Sequence, residues 1–189
     1  MAGSLSVLRA VSSAAVQRAP QRVQPVALAV LGGATGLALA WQQGAATDML
    51  VIPLMFAVLA AASAIDLHER RIPNRLTYPA TLAALTAGIA TGGGWESAGG
   101  LALAGGLMAL FCVLSRGQLG VGDVKLSAFI GAALGAPAVP TFLLLATALG
   151  AIFAAVMLVV HRDRRMALPY GPWLAAGAAL AEILSDPRI

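Results

Sequence analysis

Two aspartates, Asp66 and Asp123, are the residues of this chain whose type and setting could do chemistry. Asp66 directly follows the apolar run Met49–Ile65 and leads into Leu67-His68-Glu69-Arg70-Arg71-Ile72-Pro73-Asn74. Asp123 sits in Gly117–Leu126, which reads GQLGVGDVKL. Two carboxylates brought close together cannot both ionise easily: one pKa is pushed up, the other is held down, and the pair shares a proton. The ionised member can deprotonate a water that attacks a peptide carbonyl, while the protonated member polarises that carbonyl and then protonates the leaving amine. The protons belong to the pair, so base and acid are not assigned to one residue each. This chemistry calls for no metal and no cofactor. The chain has only two histidines, His68 and His161, in no His-x-x-x-His pair, and both read as loop residues. A plainer reading leaves each acid solvated at a helix end, with Asp123 paired to Lys125 or Arg116.

The elements that must position these acids are almost pure hydrocarbon. Of 189 residues, 59% are hydrophobic and 11% charged, and the mean hydropathy is +0.86. Soluble domains carry about 25% charged residues, so the chain reads as a polytopic membrane protein, an all-α transmembrane bundle in a lipid bilayer. Its high pI reflects short basic clusters between apolar runs rather than a nucleic-acid-binding patch. The one cysteine, Cys112, excludes an internal disulfide and a four-cysteine zinc module, and reads as a buried structural thiol. We expect a cytoplasmic tail over residues 1–24, with a cleaved leader as the alternative, an extra N-terminal span over 25–41, and a membrane core over 49–185. About seven spans are expected: Pro25–Trp41, Met49–Ile65, Leu76–Thr91, Ser97–Ser115, Val124–Leu134, Ala138–Val160 and Leu168–Leu184. The fifth is too short to cross a bilayer unaided. Recurrent Gly and Ala on the spans predict close helix packing.

With the N-terminus inside and seven alternating spans, the inner segments hold Arg9, Arg18, Arg22, Arg70, Arg71, Arg75, Arg116, Lys125, Arg162, Arg164 and Arg165. These are eleven of the twelve Lys and Arg residues, and only Arg188 falls outside. The positive-inside rule is therefore met, and it sets Asp66 and Asp123 at the cytoplasmic ends of their spans. Pro73, with Asn74, is expected to end the helix after Asp66 and tighten the loop. Gly120 and Gly122 are expected to shape the turn that presents Asp123. Lys125 reads as an interfacial anchor, and Lys125 and Arg71 as candidate contacts for substrate or membrane interface.

At these residues the chain resembles the type IV prepilin peptidases, aspartic membrane peptidases with a Gly-x-Gly-Asp motif. One element is Asp66 followed by Arg70-Arg71-Ile72-Pro73-Asn74; the next is Gly120-Val121-Gly122-Asp123-Val124-Lys125-Leu126. The acids are 123 − 66 = 57 residues apart. A late segment, Leu168-Pro169-Tyr170-Gly171-Pro172-Trp173-Leu174-Ala175, resembles the family's Pro-Phe/Tyr-Gly-Pro element. The resemblance, from about Met49 to Leu184, implies a six-span core preceded by one added span. It also implies an inner-membrane enzyme that cuts the basic leader from prepilins or pseudopilins at the cytoplasmic face, with Asp66 and Asp123 as the catalytic pair. Larger members carry paired Cys-x-x-Cys motifs and also methylate the product. This chain resembles the compact branch found with tight-adherence (Flp) pili, or a small pseudopilin peptidase, and methyl transfer is not expected of it. The sequence leaves the oligomeric state open. Two alternatives share the acids: a presenilin-like protease, against which Ile65 before Asp66 and Ala167-Leu168-Pro169 both count, and a proton-coupled transporter using Asp66, Asp123 and Glu182 as relay groups. Transporters tend to place such groups near the midplane and within internal repeats.

Overall fold

A computed structural model describes residues 23–43, 48–115, 119–161 and 169–185. Residues 1–22 of the expected tail, and the loop cations Arg116, Arg162, Arg164, Arg165 and Arg188, lie outside the described residues, whereas Val23 and Gln24 already belong to the first helix. Within them the chain is all-helical: α1 Val23–Gln43, α2 Asp48–Glu69, α3 Asn74–Ala90, α4 Gly94–Leu114, α5 Val121–Leu134, a 3₁₀ turn Ala136–Ala138, α6 Val139–His161 and α7 Gly171–Ser185. Val51–Glu69, Gly94–Leu114 and Ala136–Val159 are long and apolar enough to cross a membrane.

The short α5 is the hub. Its 14 residues rise only about 21 Å, less than a hydrocarbon core of about 30 Å. It is packed on α4, α3, α7 and α2, and Leu126, Phe129 and Ile130 are fully buried. Its crossing with α4 is backbone on backbone: a Cβ on Gly100 would land on the Gly131 carbonyl. With no hydrophobic drive between helices in lipid, such contacts carry the packing. α1 lies along α2 by the same device, with Gly32 against the Phe56 carbonyl and Gly36 against Pro53.

Most expected boundaries shift by one to four residues, and two of the shifts concern the acids. Helix α2 does not close at Asp66 but runs another turn to Glu69, because its polar residues continue the helix beyond the apolar run. Helix α5 begins at Val121, so Asp123 belongs to its first turn rather than to a preceding loop. His68 and His161 lie in the last turns of α2 and α6, not in loops. Hydropathy falls at the edge of the apolar run, whereas the helices end where their backbone hydrogen bonds do.

Candidate active site

Helix α2 delivers Asp66 in its last turn. The chain then reverses through Arg70, which takes the left-handed φ of 51° uncommon outside glycine, and its N–H donates to the Asp66 carbonyl at 2.9 Å. Ile72 is buried, and Pro73 serves as the N-cap of α3 in extended geometry (φ −73°, ψ 135°), so it opens the next helix as well as ending the loop. A Cβ on Gly122 would sit 3.1 Å from the Ile72 Cβ, so the turn at the head of α5 closes directly on the loop after Asp66.

Asp123 occupies the third position of α5 and its Oδ2 accepts the Gly120 N–H at 3.2 Å, the reach-back half of a capping box. Gly120 itself has ordinary extended torsions (φ −74°, ψ 142°). Its value is closeness, since a Cβ there would lie 3.1 Å from the Asp123 Oδ2. Asp66 is held from further away in sequence: its Oδ2 accepts the Gly171 N–H, at the start of α7, at 2.9 Å.

Both acids are buried, 6% and 8% exposed, and both line one cavity of about 300 Å³ with Arg70, Arg71, Ile72, Gly120, Val121 and Gly122. Asp123 lies ahead of the apolar stretch of α5, and there burial first, then the charge of Asp66, raises its pKa from 3.8 to about 6 against the Gly120 hydrogen bond. The electrostatic coupling between the two acids is what a shared proton requires. Burial, and then the charge of Asp123, also pushes the Tyr170 phenol up. Tyr170 precedes Gly171 and lines a second, apolar cavity of about 410 Å³ with Met108, Phe111, Leu114, Ser115, Leu119 and Thr147.

The remaining candidates separate. Arg71 lines the acid cavity. Lys125 does not: its Nζ donates to the Asn74 Oδ1 at 2.8 Å and lies 5.1 Å from the Tyr78 ring centroid. It ties α5 to the Ile-Pro-Asn turn instead of pairing with Asp123. Cys112 is half-buried and its thiol donates to the Leu119 carbonyl at 3.1 Å, which ties α4 to the loop before the acid. Glu182 lines a polar cavity at the far end of the bundle, with Glu96 and Gly135. Gly171, Tyr170 and Arg70 were not among the expected site residues. The Pro-Tyr-Gly-Pro element was the available signal for the first two. Among the described residues no group of three or more His, Cys, Asp or Glu side chains could hold a metal ion.

Comparison with known proteins follows the same outline. The chain is 37% identical over 147 residues to a prepilin leader peptidase/N-methyltransferase of Burkholderia pseudomallei (strain 1026b), covering 69% of this chain and 45% of that one. It is 35% identical over 155 residues to the protein of that name from Dickeya chrysanthemi, covering 78% and 54%. With the Bacillus subtilis (strain 168) protein it shares 29% over 150 residues, 77% and 60%. The chain thus spans about half the length of the curated relatives it matches. No solved structure matches it. The profile of the type IV leader peptidase family matches residues 53–155, from within α2 through most of α6 and including both acids. The chain belongs to the type IV leader peptidase family.

Proposed function

We propose that this protein is an aspartic endopeptidase of the bacterial inner membrane that removes the basic leader of a prepilin, Flp prepilin or pseudopilin. The observation that carries the reading is the joint burial of Asp66 and Asp123 on one cavity, delivered by two helices and each held by a backbone N–H. Charge distribution supports the cytoplasmic side as the side of cleavage, with the N-terminus inside.

In the reaction the ionised carboxyl of the pair takes a proton from water as the water oxygen bonds to the scissile carbonyl carbon. The protonated carboxyl hydrogen-bonds the carbonyl oxygen and then protonates the leaving nitrogen as the C–N bond breaks. Arg70 and Arg71, on the same cavity, suit carboxylate or carbonyl groups of the bound chain. The catalytic core comprises α2 to α7, and α1 is an added brace on α2. The proposal does not extend to methyl transfer.

The test is cleavage of a candidate prepilin by the full chain in vesicles, with Asp66→Asn and Asp123→Asn beside wild type. Each single change is expected to abolish cleavage while the protein still inserts. Full activity in either variant refutes the pair. A proton flux lost in Asp123→Asn, with pilin processing intact, would turn the assignment to a transporter.

A further inference from the structure

Among the described residues, hydroxyls shielded from water mostly donate to a backbone carbonyl, and three do not. Thr81 donates to the Thr77 carbonyl at 2.7 Å, Thr147 to Leu143 at 2.6 Å, and Ser115 to Cys112 at 3.0 Å, while Ser97 reaches across to Ala132 at 2.6 Å. Such bonds satisfy a hydroxyl that water cannot reach. The Oγ of Ser63, the Oγ1 of Thr77 and the Oγ of Ser127 are shielded from solvent and have no hydrogen-bond partner. Ser127 is 0% exposed and Thr77 1%. A buried polar atom without a partner is costly and calls for an explanation.

Their positions supply one. Ser127 lies four residues beyond Asp123 on α5, hence on the same face, and its Cβ tilts back toward the acid. Ser63 lies three residues before Asp66 on α2, in the turn over which the Asp66 side chain leans. Thr77, in the second turn of α3, is buried on a helix packed on both α2 and α5. All three lie within about 10 Å of the cytoplasmic ends of their helices. Ser63 and Ser127 thus lie about one turn from the acid on their own helices, and Thr77 lies on the helix packed against both.

We propose that Ser63, Thr77 and Ser127 are positioning residues, whose hydroxyls turn to donate to the carboxyl pair when it carries its negative charge. The proposal rests on the peptidase reading for its kinetic consequence but not for its hydrogen bonds. A hydroxyl donor favours the ionised carboxyl, so its removal raises the pKa of the acid above it. Among the described residues the other charged or titratable groups near the pair are His68 and Glu69 in the last turn of α2, Arg70 and Arg71 after it, Tyr170 ahead of α7, Lys125 held on Asn74 and Tyr78, and the exposed Arg75.

The experiment compares Ser127→Ala, Ser63→Ala and Thr77→Val, in the full chain in vesicles, with Ser127→Thr as the hydroxyl-retaining variant. Expected for Ser127→Ala are a loss of about 10-fold in kcat with KM within about two-fold, and an alkaline limb of kcat/KM moved up by about half a unit. Ser127→Thr is expected to restore both. In parallel, the carboxyl C=O infrared band is titrated without substrate, and its midpoint should rise in Ser127→Ala. A wild-type pH profile and an unchanged infrared midpoint in all three hydroxyl-removing variants overturn the proposal. Should wild type cleave no prepilin, the peptidase reading falls, and the infrared titration still decides the hydroxyl assignment.

Discussion

Gly171→Ala is a one-methyl change at the point where α7 meets Asp66. An alanine Cβ at this position would lie 2.9 Å from the Asp66 Oδ2, 3.2 Å from its Cβ and 3.3 Å from its Cγ. The three contacts fall along the whole side chain, so rotating the carboxyl cannot relieve them and the group must translate. Restoring ordinary contact at about 3.4 Å requires a displacement of roughly 0.5 Å. The Gly171 N–H bond to Oδ2, now 2.9 Å, then stretches toward the limit of a useful hydrogen bond. A misplacement of about 1 Å near reacting groups costs about 10²-fold, so a loss between about 10-fold and 100-fold in kcat is expected. Alanine is a better helix former than glycine, which separates this effect from helix loss. The assay is single-turnover cleavage of a prepilin in vesicles, beside the thermal unfolding midpoint in detergent. Cleavage within about two-fold of wild type would refute the claim that the α7 terminus sets the first acid.

Other consequences are open to simple measurement. Asp123 ionises near pH 6, and a mechanism that uses its proton loses activity as pH rises through that value; kcat/KM against pH should show an alkaline limb there, and a flat profile from 5 to 8 would contradict it. Gly131→Ala puts a methyl 2.6 Å from the Ala104 Cβ and onto the Gly100 carbonyl, so a loss of about 3 kcal/mol or a failure to insert is expected, read by detergent unfolding or protease protection. Lys125→Met removes the Asn74 bond and the Tyr78 contact, both exposed; the expected loss is about 1 kcal/mol, with cleavage within about three-fold of wild type. A complete loss of cleavage would return Lys125 to the active cavity.

The acids and their neighbourhood were legible because their signals are local. Apolar runs, turn residues and basic clusters give a helical membrane bundle, and the Gly-x-Gly-Asp and Ile-Pro-Asn elements mark where to look. What failed to show in sequence was of two kinds. Hydropathy treats Asp123 as the end of polar loop, whereas capping treats it as the beginning of a helix, because its Oδ2 meets the Gly120 N–H. The glycines were expected to matter, and Gly122 does, but through the Ile72 contact rather than through an unusual φ. The second kind is long-range: no local pattern links Asp66 to Gly171, 105 residues away, or tells which hydroxyls of the bundle lack a partner.

That separation has a consequence for the order of assembly. Ribosomes deliver α2 before α7, so until α7 emerges Asp66 lacks the N–H that meets its Oδ2. The acid is completed only when α7 docks against α2. A chain interrupted after α6 would carry both signature motifs and lack the contact that seats the first acid, so the acid pair is not in place before α7 has been made.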